Sequence, residues 1–259
     1  GRVQHRAYLL APLAIQAANT SDAFTFVVSD GSTNTGTTAF TVFVVGAGDA
    51  PVISEGGDSV ALLETNATLT SSGSLTVTDN DLSDSVNLST SLNVGGTSTA
   101  THPSNSDLLA MLTLNPSSLL ADASTISSQA SWTFASGDQT FDYLAAGETL
   151  VLTYTVTATD TGSPALTTSD TVTVTITGTN DGPILTLPTA ISLTDTVNAD
   201  TFTNHTGNLS ATDADHNAVL NYGIAGQGNG TTTIDSVVYN ASKLGRYGTL
   251  YLASASGAY

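Results

Sequence analysis

The sequence predicts an all-β protein made of tandem β-sandwich repeats, and three observations lead to that prediction. Apolar and Thr positions alternate strictly over residues 149–159, with the two-residue period of a half-buried strand. Ser and Thr fill 75 of the 259 positions, while aromatic residues make up only 6%, a composition that suits small, thin sandwiches. Residues 141–185 also have a counterpart near the start of the chain, which indicates a repeated unit.

The most regular stretch of the chain predicts a β-hairpin followed by a linker. The strand that ends at Asp160 is followed by the turn sequence TGSP, after which residues 171–177 alternate again. The sequence GTNDGP at residues 178–183 cannot continue a strand, because it is polar and rich in turn-forming residues. We therefore expect a domain boundary before Ile184.

This stretch also resembles a known family. The run LAAGETLVLTYTVTATD followed by TVTVTITGTNDGPI is similar to the end of a VCBS repeat, a cadherin-like or immunoglobulin-like module found in tandem in large secreted RTX-type bacterial adhesins. The match combines the AAGE turn, the hairpin and the TGTNDxP linker. The resemblance implies a cadherin-like (Ig-like) sandwich, a location outside the cell or on the bacterial surface, calcium near the junctions between repeats, and no catalysis.

Internal repetition predicts how the chain is divided. Asp49 precedes Asp181 by 132 positions, and Asp79 precedes Asp213 by 134. On this spacing residues 1–49 are the C-terminal part of an upstream β-sandwich repeat and residues 50–182 are a complete repeat. Residues 183–259 are then the N-terminal part of a following, truncated repeat, so the chain is expected to begin and end inside domains.

Weaker patterns predict the remaining elements. Leu75 and Val77 indicate a short strand, and Trp132 alternating with Phe134 indicates another strand in the core. One or two helical turns are predicted at residues 106–112, with Ser106 as the N-cap. Three further strands are predicted over residues 218–224, 234–239 and 249–252, followed by a turn at residues 255–257 that would begin a hairpin.

Composition limits the classes of partner. The chain has 22 Asp and Glu against 4 Lys and Arg, a net charge of −18, which argues against nucleic acid and anionic membrane surfaces and favours cations. The absence of Cys excludes disulfides and thiolate metal sites. No apolar run reaches the roughly 18 residues of a membrane-spanning helix. Residues 2–18 superficially resemble a signal peptide, but Pro12 interrupts their apolar stretch.

Acidic residues recur at equivalent positions and predict calcium sites. Each predicted junction has a linker acid, an acid after the first strand, and an Asp-x-Asp pair. The residues are Asp49, Glu64, Asp79 and Asp81 in one set, and Asn180, Asp181, Asp195, Asp213 and Asp215 in the other. Hard oxygen ligands of this kind suit Ca²⁺, which takes 6 to 8 of them. Lone acids such as Asp30 and Asp160 are interpreted as turn residues.

The expected strand order places these acids at the junctions. If the first strand leaves the linker and the next one returns, Asp79 and Asp81 come back beside Asp49, and Asp213 and Asp215 come back beside Asp181. Glu64 then lies at the far end of its domain, and the sequence leaves open which junction it serves. Cadherin linkers read DxNDN where this chain has GAGDAP and GTNDGP, so one or two ligands per ion would be missing.

The sequence therefore predicts a non-catalytic extender segment of an adhesin, with calcium ions as partners and with glycan or protein targets held by other parts of the full protein. No GxSxG, HExxH or P-loop motif is present. Of the four histidines, His216 alone lies beside predicted ligands. Two alternatives remain open: a carbohydrate- or protein-binding module using the predicted loop at residues 226–233, and an accessory domain of a large secreted hydrolase.

Overall fold

The computed structural model describes residues 20–27, 31–32, 38–44, 46–55, 57–121 and 125–259. Strands account for nearly all of the regular structure, so the all-β prediction is confirmed. Among these residues, no helix is both long enough and apolar enough to cross a membrane. The signal-like stretch at residues 2–18 and the predicted turn residue Asp30 lie outside the described part of the chain.

The first described element is a two-stranded antiparallel sheet, here named the N-terminal hairpin. It consists of β1 (Thr20–Phe26) and β2 (Thr38–Val44), with Phe24 directly opposite Phe40. Directly opposite residues project from the same face of a sheet. Phe24, Phe26 and Phe40 therefore share one face, and they are 38%, 56% and 57% exposed.

The next nine strands form two sheets that pack face to face, here named the central sandwich. In chain order they are β3 (Val52–Ser54), β4 (Asp58–Leu63), β5 (Thr70–Thr78), β6 (Val86–Gly96), β7 (Leu112–Asn115), β8 (Ser118–Leu119), β9 (Ser127–Ala135), β10 (Thr149–Asp160) and β11 (Thr167–Thr177). One sheet has the order β4-β11-β10-β6-β8 and the other β3-β5-β9-β7. A short helix, α1 (Asn105–Ala110), precedes β7.

A single hydrophobic core lies between these two sheets. Trp132 and Phe134 of β9 meet Leu152 and Tyr154 of β10, and all four side chains are at most 1% exposed. The alternating residues of β10 and β11 put Val and Leu side chains inward and Thr side chains outward, as the two-residue period predicts. The predicted hairpin and the predicted Trp132 strand are both confirmed.

The last five strands belong to residues 183–259, here named the C-terminal segment. They are β12 (Ile184–Leu185), β13 (Ala211–Thr212), β14 (Gly228–Ile234), β15 (Val237–Leu244) and β16 (Thr249–Leu252). Strands β12 and β13 form one small sheet, and β14-β15-β16 form another. After a turn at residues 254–256 the chain pairs again, through an isolated bridge between Ala258 and Asn208.

The predicted helix is present, but its N-cap is not Ser106. The cap is Ser104, whose hydroxyl accepts a hydrogen bond from the Asp107 backbone N–H at 3.2 Å. The N-cap therefore lies two residues earlier than predicted, and the helix covers residues 105–110 in place of 106–112.

Two predicted strands in the C-terminal segment are wrong. The run at residues 234–239 is divided by a tight turn, in which Asp235 and Ser236 adopt left-handed φ values of 46° and 68°. Residues 218–224 form no strand. Their counterpart in the central sandwich is the start of β6, which is held by β10. The strands of residues 183–259 form the sheets β12-β13 and β14-β15-β16, and neither sheet offers a partner to residues 218–224.

Candidate metal centre

The strongest candidate site lies where β4 and β11 end and the chain leaves the central sandwich. Glu64 follows β4 directly, Asp142 lies in the turn before β10, and Asp181 lies in the linker after β11. One carboxylate oxygen from each of these three residues lies within 4.8 Å of the other two. Parallel pairing of β4 with β11 explains the arrangement, because the ends of both strands reach the same edge of the sheet.

Glu64 is fixed firmly in this group. It is only 1% exposed, and its Oε2 accepts hydrogen bonds from the Thr179 backbone N–H at 3.2 Å and from Thr179 Oγ1 at 2.6 Å. Thr179 belongs to the linker, so these bonds tie the linker to the end of β4. Glu64 therefore lies with Asp181 and not with Asp49, which answers the question that the sequence left open.

The Asp-x-Asp pair of the C-terminal segment lies next to this group. Asp215 Oδ2 accepts a hydrogen bond from the Asp181 backbone N–H at 3.1 Å, and Asp213 Oδ1 accepts one from the Asp215 N–H at 3.0 Å. The strand pairing of β12 with β13 brings the chain back to the linker at this point. The expected return of Asp213 and Asp215 to Asp181 is thus observed.

Several oxygens of this site are buried without a hydrogen-bond donor. They are Asp142 Oδ1, Asp181 Oδ2 and Asp215 Oδ1. Burial raises the pKa of Asp181, and the nearby charge of Glu64 raises it further, with smaller effects from Asp142, Asp215 and Asp213. A buried carboxylate without a partner is costly, so the arrangement calls for a positive charge.

The chain itself supplies little positive charge here. Its four Lys and Arg residues stand at positions 2, 6, 243 and 246, so none lies between residues 7 and 242. The central sandwich consequently has no Lys or Arg of its own to neutralise its acids. A metal cation is the kind of partner that carboxylates without a side-chain counter-charge can accept.

A second acidic cluster lies at the opposite end of the central sandwich. It is formed by Asp79 and Asp81, which follow β5, by Asp84, and by Asp160 at the end of β10. Asp79, Asp81 and Asp160 are 3%, 1% and 4% exposed. Asp81 Oδ2 accepts a hydrogen bond from the Asp49 backbone N–H at 2.6 Å, so the expected return of this pair to the first linker is also observed.

The second cluster has the same electrostatic character as the first. Burial raises the pKa of Asp79, and the charges of Asp81, Asp160 and Asp84 add to that effect, whereas the Asp81 backbone N–H opposes it. Asp79 Oδ2, Asp81 Oδ1 and Asp84 Oδ2 are buried without a donor. A side chain at Gly162 would fill this space, since a Cβ there would lie 2.8 Å from Asp84 Oδ2.

Asp160 has two roles. Its Oδ1 accepts hydrogen bonds from the backbone N–H groups of Gly162 and Leu166, both at 2.9 Å, which is the turn role that the sequence indicated. Its charge also acts on Asp79. The turn interpretation is therefore correct but incomplete.

A direct polar contact joins the central sandwich to the C-terminal segment beside the first group. His216 Nδ1 lies 3.3 Å from Glu148 Oε1, and the His216 backbone N–H donates to the Tyr143 carbonyl at 3.0 Å. Glu148 belongs to the AAGE turn and also accepts a hydrogen bond from Ser98 Oγ at 2.9 Å, the largest of the effects that lower its pKa. His216 is therefore a half-buried contact residue and not a solvated loop residue.

The structure does not bring every predicted ligand to a site. Asp195, the expected counterpart of Glu64, is exposed and lies apart from the acid group around Asp181. The Asn180 side chain is exposed and donates to the Asp181 carbonyl at 2.7 Å. The Asp49 side chain is also exposed, and Asp49 contacts the cluster through its backbone N–H.

Sequence reasoning missed Asp142 and Asp84. Asp142 stands just before the AAGE turn, in the stretch on which the family resemblance rests, and its position at a chain reversal was the available signal. Asp84 follows the Asp-x-Asp pair by three residues, and nothing in its local pattern distinguishes it from an ordinary loop acid. Both become recognisable only when the strands bring them together.

The rival binding loop at residues 226–233 is largely a strand. Gly228 to Ile234 form β14, which pairs with β15, so this stretch is not a free loop. An open cleft of about 420 Å³ elsewhere is lined by Glu55, Asp58 and Trp132 among others, but Trp132 is 1% exposed and donates its Nε1–H to Asp58 at 2.6 Å. Its ring is therefore not available to stack on a ligand.

No protein-family model and no curated protein matches the sequence. Comparison with solved structures finds cadherin and PapD-like domains. Repeats EC21-23 of human CDH23 are 18% identical with a TM-score of 0.38, covering 88% of this chain and 66% of that one. The protocadherin GammaB4 extracellular domain is 18% identical with a TM-score of 0.35, covering 88% of this chain and 40% of that one. A PapD-like domain of human CEP192 is 15% identical with a TM-score of 0.33, covering 51% of this chain and 86% of that one.

Proposed function

We propose that this chain is a non-catalytic extender segment in which calcium ions at the two ends of the central sandwich fix the angle between successive units. The observation that carries the proposal is the group formed by Glu64, Asp142 and Asp181, whose carboxylate oxygens lie within 4.8 Å of one another. Asp213 and Asp215 of the following unit stand beside the group. An ion bound there would be shared by residues from both sides of the linker.

The residues fit Ca²⁺ in charge and in chemistry. Ca²⁺ takes 6 to 8 oxygen ligands at roughly 2.3 to 2.6 Å, and carboxylates are its usual protein donors. Five carboxylates converge at the Asp181 junction, and the oxygens of Asp142, Asp181 and Asp215 that have no donor are available as ligands. When bound, the ion supplies the positive charge that holds mutually repelling acids together.

The same reasoning extends to the opposite end of the sandwich. Asp79, Asp81, Asp84 and Asp160 would hold an ion beside the linker residue Asp49. On this proposal residues 50–182 are one complete repeat, and residues 1–49 and 183–259 are parts of its neighbours. A tandem array of this kind suits the surface or secreted adhesin that the VCBS resemblance implies, with its adhesive target, such as a surface glycan in cell attachment or biofilm formation, bound by other parts of the full protein.

Calorimetric calcium titration of the 259-residue chain tests this function. We expect binding with Kd on the order of 10⁻⁴ to 10⁻³ M, the range usual for extracellular calcium modules. Asp142→Asn and Asp181→Asn should each weaken the ion at the second junction, because both remove a charge from the group. Asp138→Asn is the matched control, since Asp138 is exposed and belongs to neither cluster.

The outcome separates calcium binding from general acidity. Loss of one binding event in Asp142→Asn, with the control unchanged, supports the junction site. Equal binding by all three variants would show that calcium binding depends only on the net charge of the chain, and the proposal would then be rejected. A wild-type chain that binds no calcium at millimolar concentration would reject it as well.

A further inference from the structure

One sheet of the central sandwich has an open edge along most of β5. Strand β9 pairs with one side of β5 over residues 70–78, but β3 pairs with the other side only at residues 76–78. After Ser54 the chain leaves this sheet, since Glu55 has a left-handed φ of 60° and the next strand, β4, belongs to the opposite sheet. Among the described residues, no strand covers the outer edge of β5 over residues 70–75.

The open edge carries backbone groups that could pair with a further strand. In an antiparallel pair every second residue directs its N–H and C=O away from the partner strand, so about half of residues 70–75 direct theirs to the open side. No described group bonds to them there. Edges of this kind are usually blocked by Lys, Pro or a bulge, but the sequence here is TSSGSL and the pairing with β9 is regular.

A cleft of about 420 Å³ lies beside this edge, between residues 58–60 of β4 and residues 72–74 of β5. The strand register shows which residue of an added strand would point into it. Ile53 of β3 lies opposite Val77, and both side chains pack on the core. Gly73 faces the same way, because a Cβ on it would lie 2.5 Å from Trp132 Nε1. A residue opposite Gly73 would therefore direct its side chain into the cleft.

The cleft presents negative charge. Asp58 Oδ2 accepts a hydrogen bond from Trp132 Nε1 at 2.6 Å, and its Oδ1 has no hydrogen-bond partner in the described part of the chain. Glu55, also in the cleft wall, is exposed and accepts from Thr76 Oγ1 at 2.9 Å. No Lys or Arg stands between residues 7 and 242. The complementary charge for these two carboxylates is thus a cation brought by a partner.

We infer that the open edge of β5 binds an extended segment of another protein, which adds as a strand antiparallel to β5 and places a Lys or Arg side chain opposite Gly73. Backbone hydrogen bonds to β5 supply affinity, and the acidic cleft supplies specificity. The segment continues the line of β3 and lies opposite residues 74 to 70, a length of about 17 Å at roughly 3.4 Å per residue. A second copy of this chain is a poor partner, because its residues 7–242 offer no basic side chain.

A synthetic peptide tests this binding with the 259-residue chain. The probe is acetyl-TKTVT-amide, whose Lys falls opposite Gly73 when its first residue lies opposite Ser74. Trp132 is the only Trp, so its indole N–H gives a single NMR signal at the cleft. We expect saturable shifts of this signal and of the backbone amides of residues 70–74, with slower amide exchange at alternate residues of that stretch. Physiological salt without added calcium keeps the test independent of the calcium proposal.

Two control probes separate the charge from the strand pairing. The peptide acetyl-TETVT-amide keeps the strand but reverses the charge, so it should bind at least about tenfold more weakly. Acetyl-lysine amide keeps the charge without the strand, and it should leave the backbone amides of residues 70–74 unshifted.

A pair of chain variants tests the acidic cleft. Asp58→Asn retains an oxygen that can accept from Trp132 but loses the negative charge. Its affinity for the Lys probe should fall about three- to fivefold, as for a partly exposed ion pair. Asp235→Asn is the matched control, since Asp235 is an exposed turn residue of the C-terminal segment, and its affinity should equal that of the wild type.

Three results would overturn the inference. Without a saturable shift at residues 70–74, the edge of β5 does not bind the segment. Equal binding of the Lys and Glu probes, or an unchanged affinity in Asp58→Asn, would show that the acids of the cleft do not select the partner. Equal shifts of residues 70–74 with acetyl-lysine amide would show that a cation binds the cleft without strand pairing.

Discussion

Buried carboxylates without donors distinguish the two ends of the central sandwich from an ordinary acidic surface. Asp79 and Asp181 both have a pKa raised by burial and by neighbouring acids. Asp170, by contrast, is an ordinary strand acid whose Oδ1 accepts from the next backbone N–H at 2.7 Å. The carboxylates differ in their neighbours. A backbone N–H donates to the Asp170 carboxylate, whereas Asp79 and Asp181 each lie among other acids whose charges a cation would offset.

Replacing Asp213 and Asp215 together by Asn separates metal binding from turn formation. Asn keeps the size and turn preference of Asp but removes two negative charges. We expect calcium affinity at the Asp181 junction to fall by about tenfold or more, since about 1.4 kcal/mol of lost attraction is enough for that factor. Binding at the Asp79 cluster should stay unchanged, because distant sites are independent. Calorimetry that shows two unaltered sites would contradict the assignment.

The raised pKa of Asp181 predicts the pH dependence of the calcium-free protein. A carboxyl group whose folded pKa exceeds its unfolded value of 3.8 favours the folded state below that pH, and this contribution is lost as the pH rises through the folded pKa. Asp181→Asn removes the group. In the presence of a chelator we therefore expect the variant to be more stable than the wild-type chain at neutral pH.

The advantage of Asp181→Asn should shrink as the pH is lowered towards 3.8. Thermal unfolding over this pH range checks it, and the difference between the two proteins isolates the one group from all others. A variant that is less stable than the wild type at neutral pH without calcium would contradict the prediction.

One close contact between strands lies where β5 passes the single Trp. A Cβ placed on Gly73 would lie 2.5 Å from Trp132 Nε1, and the Trp132 ring is held by its hydrogen bond to Asp58. Gly73→Ala should therefore destabilise the central sandwich by about 1–3 kcal/mol, the usual cost of overpacking a core. Denaturant unfolding followed by Trp132 fluorescence measures it.

Gly95 offers a matched control for this substitution. It also lies in a strand, β6, but a Cβ at that position would meet nothing within 4 Å. Gly95→Ala should be neutral or stabilising by up to about 1 kcal/mol, since it reduces the entropy of the unfolded chain. Equal losses in both variants would mean that Gly73 matters for strand geometry and not for the space that Trp132 occupies.

The sequence predicted its most regular strand correctly. Residues 149–160 alternate strictly and form β10 between β6 and β11, so period and pairing agree. Residues 218–224 are more apolar than residues 149–160, but they have no partner strand and form none. The local sequence pattern indicates a preference for strand structure, but a strand forms only where a neighbouring strand pairs with it. The turn at Asp235 and Ser236 was missed because it lies inside a run whose pattern predicted a strand.

The site was predicted in part for the same reason. Asp181, Asp213 and Asp215 recur at a fixed spacing, so repetition identified them. Asp142 has no acidic counterpart in residues 1–49 and reaches Glu64 only because the turn before β10 folds against the end of β4. Asp195 has the expected spacing, yet it follows a stretch that does not form the equivalent of β4, so it has no site to join.

At the scale of the whole molecule, calcium should control shape and leave secondary structure intact. The central sandwich is held by an apolar core that contains no proposed ligand, whereas the contacts across the second linker are mainly polar, such as the bonds from Asp181 to Asp215 and from His216 to Tyr143. Chelation restores the repulsion among the junction acids, so the linkers should loosen while the strands persist.

Small-angle scattering should then show a longer, more rigid particle with calcium than without it, and circular dichroism should show the same strand content in both. The variant Asp142→Asn should behave at all calcium concentrations as though its second junction were calcium-free, whereas Asp138→Asn should follow the wild type. If chelation abolished the β-sheet signal, the ions would be required for folding and would not act only as junction clamps. If scattering did not change, the polar contacts alone would fix the angle.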